Sequence, residues 1–203
     1  MKQTRLSNMR YLLIALTLSI FLGNENTFIK DFANAAINRT TYDIEYDSRY
    51  FSIDYPNGDI PNNLGVCTDV IIRSYRTIGV DLQKLIHEDM VLNFDKYPKI
   101  WGLRKPDPNI DHRRVPNLQT FFSRYGEELV VSNNTSDYSS GDIVTWFLNP
   151  DNGTIPHIGI IIDTLNTPMV VHNIGYGVVL EDMLFNSNFK ITGHYKYIPK
   201  NYK

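Results

Sequence analysis

A chain of 203 residues with 42% hydrophobic and 21% charged side chains has the composition of a folded domain that buries a core. Its formal net charge of −2, from 20 basic and 22 acidic residues, lacks the basic surplus of a nucleic-acid binder. One cysteine, Cys67, rules out an internal disulfide and any paired-cysteine metal spacing.

Lys2, Arg5 and Arg10 precede an uncharged run from Tyr11 to Gly23, shorter than the roughly 20 apolar residues of a membrane span. Residues 1–35 are therefore predicted to be a signal peptide or N-terminal anchor, with Ala33-Asn34-Ala35 as a small-x-small stretch. The protein is expected to be exported: periplasmic, secreted or anchored to the outer membrane face. Any membrane contact runs through that segment alone, and a monomer is expected. Residues 36–50 are polar and predict a linker or lead-in helix, which leaves residues 51–203 as a single domain.

Tyr55 to Asn63 is dense in turn formers and predicts a loop that delivers the chain to a helix at Cys67. Cys67, Ile71, Tyr75 and Ile78 form one apolar stripe, Asp69, Arg73 and Arg76 take the opposite face, and Gly79 stops the helix. On the first turn, unpaired N–H groups and the helix dipole favour thiolate over thiol, which would make Cys67 a nucleophile. The same position also suits a small buried hydrophobe. Asp81 predicts the cap of a second helix carrying Leu82, Leu85, Ile86, Met90 and Phe94, ending before Pro98. Residues 97–116, with four prolines, predict a long loop. Asn117 predicts a third cap, with Leu118, Phe121, Phe122 and Tyr125 inside the helix and Gly126 as its stop. Six short β-rich runs follow, at 128–131, 142–148, 157–163, 169–174, 178–184 and 191–198. Helices first and strands after predict an α+β fold, with N-terminal helices packed on a mostly antiparallel sheet.

A thiolate needs a base, and the chain offers five histidines. His87 lies on a polar helix face, His112 within Asp111-His112-Arg113-Arg114, and His194 in the last strand, where it suits a core hydrogen bond. His157 and His172 are different. If Thr164-Leu165-Asn166-Thr167 closes a hairpin, Asp163 pairs with Pro168 and Gly159 stands opposite His172. His157 is then one diagonal step away on the same face. A slip of one residue brings Asn173 to that face instead, and either residue could orient the ring of His157.

Several motifs together resemble a known family. Val66-Cys67-Thr68-Asp69 opening a helix, Ser140-Gly141-Asp142-Ile143-Val144, His157-Ile158-Gly159-Ile160 and Val171-His172 are similar to the NlpC/P60 cysteine peptidases of the papain-like clan. The runs GDIP, GVCTDV, HEDM, DHRRVPNL, GDIV, HIGI, HNIG and GHYKY, across roughly residues 50–198, resemble the DUF1287 family more closely still. The chain departs from the NlpC/P60 pattern in three places. Val66, Thr68 and Asp69 stand where Asp, Ser and Gly are usual, a serine replaces the proline before Gly141-Asp142, and the 97–116 loop has no counterpart.

The resemblance implies a papain-like NlpC/P60-type core with Cys67 as nucleophile, His157 as general base and then acid, and His172 as the orienting group. It implies a thiol-dependent hydrolase cutting an amide in a peptide or peptidoglycan substrate, with no cofactor and no metal. Tyr55, Asp59, His112, Arg113, Arg114 and Asn173 are candidate substrate-binding residues, the two arginines through a substrate carboxylate. A surface or structural ion pair explains those arginines equally well. Two rival functions remain open: acyl transfer from the same thioester to an amine, and a catalytically silent cell-wall-binding module.

Overall fold

The computed structural model describes residues 23–149, 155–164, 167–200 and 202. The basic start and nearly all of the Tyr11–Gly23 run lie outside the described residues, as do Leu165 and Asn166 of the hairpin loop. Residues 23–39 form a helix, α1. Phe28, Phe32 and Ala36 recur every four residues and are buried in the main core. The Phe32 ring lies 4.3 Å from that of Tyr75, and Tyr202 meets Phe28 edge-on at 4.9 Å. The expected leader boundary at residue 35 therefore falls inside a core helix, and Ala33 and Ala35 are themselves buried. The expected linker at 36–50 likewise carries a buried Ile44 and a short parallel bridge, β1 (Glu45–Tyr46) to β2 (Leu64–Gly65).

Helix α2 (Cys67–Thr77) begins where the Asp69 carboxylate accepts the Val66 N–H at 2.7 Å. It ends where the Gly79 N–H reaches the Arg76 carbonyl and the Val80 N–H the Tyr75 carbonyl. Gly79 adopts φ 83°, the left-handed turn this closure requires. Cys67, Ile71 and Tyr75 are buried as their spacing predicts, but Asp69 and Arg73 on the other face are buried too. Two loops cover that face, so its charges pair inside the protein: Arg73 with Asp59, and Asp69 with Arg113. Helix α3 (Leu82–Leu92) is capped by Asp81, which accepts from Lys84 N. Helix α4 (Val115–Tyr125) starts two residues before the expected cap at Asn117. Pro116 suits the first turn, where its missing N–H costs nothing, and the Asn117 amide bonds the Asp111 carbonyl instead.

The six β-rich runs form one antiparallel sheet. Its strands are β3 (Glu127–Glu128), β4 (Ile143–Leu148), β5 (Ile155–Asp163), β6 (Pro168–Asn173), β7 (Val178–Glu181) and β8 (Phe189–Lys196), in the order β3-β8-β4-β5-β6-β7. Alternate side chains serve two cores. Ile143, Ile158, Ile160, Ile162 and Val171 face the helices. Val144, Trp146, Ile161 and Val170 face the other way, under Tyr138, Met183 and Leu184. Asp142 accepts the Ser139 N–H and pairs with His194, whose other nitrogen meets the Val130 carbonyl; both residues brace the sheet.

Candidate active site

Cys67 is the first residue of α2, and the Ile158 amide of β5 lies close enough to its sulfur to favour the thiolate. That amide is free for a reason that can be traced. Ile161 exchanges hydrogen bonds with Gly141 and Asp142 on the β4 side, so by alternation Ile160 and Ile158 point toward β6. The β5–β6 ladder stops at Ile160 and Val171. Beyond it the pairing ends, so no β5–β6 ladder pair forms at Ile158. Burial pushes the Cys67 thiol up to about 12, against the amides of Ile158, Thr68 and Cys67, which pull it down. Desolvation thus acts against the thiolate that the helix start was expected to favour.

The hairpin has the expected register, with Asp163 opposite Pro168. The rings of His157 and His172 meet edge to face at 5.1 Å between centroids, with Nε2 of His157 3.0 Å from Nδ1 of His172. A side chain at position 159 would place Cβ 3.3 Å from Cβ of His172, so glycine keeps the hairpin close there. Burial holds His157 down to about 3 and lowers His172 as well, while Glu181 acts on His172 in the opposite direction. Glu181 Oε1 lies 2.9 Å from Nε2 of His172. Both imidazoles project from the Trp146 face of the sheet, whereas the thiol approaches from the helical side. Among the described residues, no hydrogen bond joins Sγ to the imidazole or engages Nδ1 of His157.

Cys67 opens onto a cleft of about 420 Å³ lined by Tyr46, Tyr50, Trp101, Arg114 and Pro156, among others. Trp101 sits at φ 55°, unusual for a bulky residue, and its ring lies 5.2 Å from the Arg114 guanidinium. A larger cavity, about 740 Å³, lies at the far end of α2 between Gly79 and Tyr202, away from the thiol.

The expected substrate-binding residues separate. Arg113 and Arg114 both line the cleft. Arg113 gives its donors to Asp69 and to the carbonyls of Asp47 and Arg49, while Arg114 makes no ion pair among the described residues. Asp59 is held by Arg73 and Arg76. His112 is buried, its Nδ1 without a partner among the described residues, and burial brings it down to about 3. Tyr55 is exposed and packs on His87 outside the cleft lining. Asn173 lies on the helical face, donating to Gly65 O and accepting from Gly175 N. Glu181, Tyr46, Tyr50 and Trp101 were not among the expected residues; a tryptophan in a proline-rich loop was the one available signal. Among the described residues, no group of three or more His, Cys, Asp or Glu side chains could hold a metal.

A family model described as "Domain of unknown function (DUF1287)" matches residues 33–197. The chain belongs to the DUF1287 family. A curated relative, "Uncharacterized protein YijF" of Escherichia coli (strain K12), is 51% identical over 181 residues, which is 88% of this chain and 84% of that one. Among solved structures, the DUF1287 chain is similar to an N-acetylmuramoyl-L-alanine amidase from Bacteroides uniformis ATCC 8492. The TM-score is 0.50 at 15% identity, over 84% of this chain and 99% of that one. It is also similar to NlpC1 from Trichomonas vaginalis, with a TM-score of 0.45 at 16% identity, over 84% of this chain and 45% of that one. The amidase likeness is one of fold: helices packed on an antiparallel sheet, as the NlpC/P60-like expectation required.

Proposed function

We propose that this DUF1287 chain is a thiol-dependent hydrolase that cuts an amide bond in a peptidoglycan peptide through an acyl-enzyme. The observation that carries the reading is the chain's one cysteine. It heads a helix, lines an open cleft and lies near the amide of Ile158, the residue after His157. Cys67 attacks the substrate carbonyl carbon while His157 accepts the thiol proton. The developing oxyanion takes the backbone N–H at the start of α2. Collapse expels the amine, which receives that proton from His157. Water, deprotonated by the same imidazole, then cleaves the thioester. His172 holds the ring of His157. Arg114 receives a substrate carboxylate, with the cleft aromatics covering the apolar part of the peptide. An exported protein, as the N-terminal run suggests, would meet this substrate outside the cytoplasm.

The test is digestion of purified muropeptides by wild type and Cys67→Ala. New amine termini are expected with the wild type and none with the variant, and release that persists without the thiol removes Cys67 from the mechanism. The silent binding module is favoured by two observations: the thiol is buried, and no Sγ–imidazole hydrogen bond forms among the described residues. It predicts that iodoacetamide labels Cys67 more slowly than free cysteine at pH 7, with muropeptide retained and uncut.

A further inference from the structure

We infer that Glu181 is a positioning residue that sets which nitrogens of the two histidines carry protons, leaving Nδ1 of His157 as the unprotonated one. The inference rests on the hydrolase reading for its purpose but on hydrogen-bond chemistry for its content. On β7, Glu181 stands opposite Val170, and His172 opposite Val179. Glu181 and His172 are therefore diagonal neighbours on one face of the sheet. His157 and His172 are related in the same way across β5 and β6. Two diagonal steps thus carry a continuous chain over three strands: carboxylate, imidazole, imidazole.

A carboxylate only accepts, so the 2.9 Å contact requires a proton on Nε2 of His172. A neutral imidazole with Nε2 protonated has a lone pair at Nδ1. The 3.0 Å contact at that nitrogen then requires His157 to donate from its own Nε2. Nδ1 of a neutral His157 is left with a lone pair and no partner among the described residues. Burial disfavours the charged form of both rings, and the titratable group acting on each is its neighbour in this chain: Glu181 on His172, and His172 on His157. Without Glu181 the pair is degenerate. His172 could equally donate from Nδ1 to Nε2 of His157, which would put the proton on Nδ1 of His157, where it blocks the base. Glu181 removes that degeneracy. Its side chain is 52% exposed while that of His172 is 0% exposed, so the relay is set from the solvent edge of the sheet.

The experiment reads imidazole tautomers by ¹⁵N–¹H correlation in the full chain, together with the pH profile of Cys67 alkylation by iodoacetamide. Wild type is expected to show His157 protonated at Nε2. Glu181→Lys replaces the acceptor with a donor. It should reverse both tautomers and slow alkylation near pH 7 on the order of 100-fold, the scale of a lost general base. Glu181→Leu should give mixed tautomers and a smaller slowing. The exposed position makes both variants compatible with folding, which thermal melts verify. A wild-type His157 protonated at Nδ1 overturns the inference even if neither variant folds, and so does a Glu181→Lys protein with wild-type tautomers. Tautomers are read without substrate and in Cys67→Ala, so a correct relay with no muropeptide cleavage removes the hydrolase reading alone. Cleavage with the wrong tautomer removes the Glu181 assignment alone.

Discussion

Arg113 and Arg114 are adjacent and chemically identical, yet they have opposite environments. Arg113 is buried with both Asp69 oxygens and two backbone carbonyls as acceptors. Arg113→Ala would leave Asp69 buried and unpaired at the first turn of the cysteine helix, at a cost of about 3–5 kcal/mol, measurable as a lower urea midpoint. Arg114→Ala is expected to leave that midpoint unchanged and to raise KM for a carboxylate-bearing muropeptide without lowering kcat. Nothing local separates the two arginines, because the partners of Arg113 lie more than 40 residues away in sequence. Two placements were legible for specific reasons: Cys67 at a helix start, from the apolar stripe that follows it, and the contact of His157 with His172, from a hairpin whose period of two puts both imidazoles on one face. Glu181 was not. A carboxylate near a strand end reads as a solvated side chain until the β6–β7 pairing puts it beside a buried ring.

At the scale of elements, the strands were readable because alternation and turn residues are local, and each run lies within a few residues of its observed strand. Helix α1 was missed because its apolar positions follow directly from the leader-like run, and only tertiary packing on Tyr75 tells the two apart. Gly159 joins this scale to the site. A Cβ at position 159 would lie 2.5 Å from Val170 Cγ1 and 3.1 Å from the Val171 carbonyl, so β6 would have to move. Gly159→Ala is expected to cost about 1–3 kcal/mol by overpacking and to part the two histidines. The measurements are a thermal melt and the iodoacetamide profile, with the larger change expected in the second.

For the molecule as a whole, the buried histidines set its response to acid. His112 and His157 are each held down to about 3 by burial, against an ordinary 6.5. Between those values the unfolded chain binds protons that the native state refuses. Stability is therefore full above about pH 6.5 and falls as the pH drops toward 3. Urea midpoints at pH 7 and pH 5 should differ in that direction, and His112→Leu should flatten the difference. Buried carboxylates such as Asp89, held low by Arg124 and two tyrosines against its burial, contribute only at more acidic pH. The interrupted ladder beside Ile160 carries a last consequence. A main-chain N–H that an unbroken hairpin would lock between strands instead stands beside a sulfur atom. Its resonance should shift whenever that sulfur gains a bond, so residue 158 works as an internal gauge of occupancy, readable before any product is known.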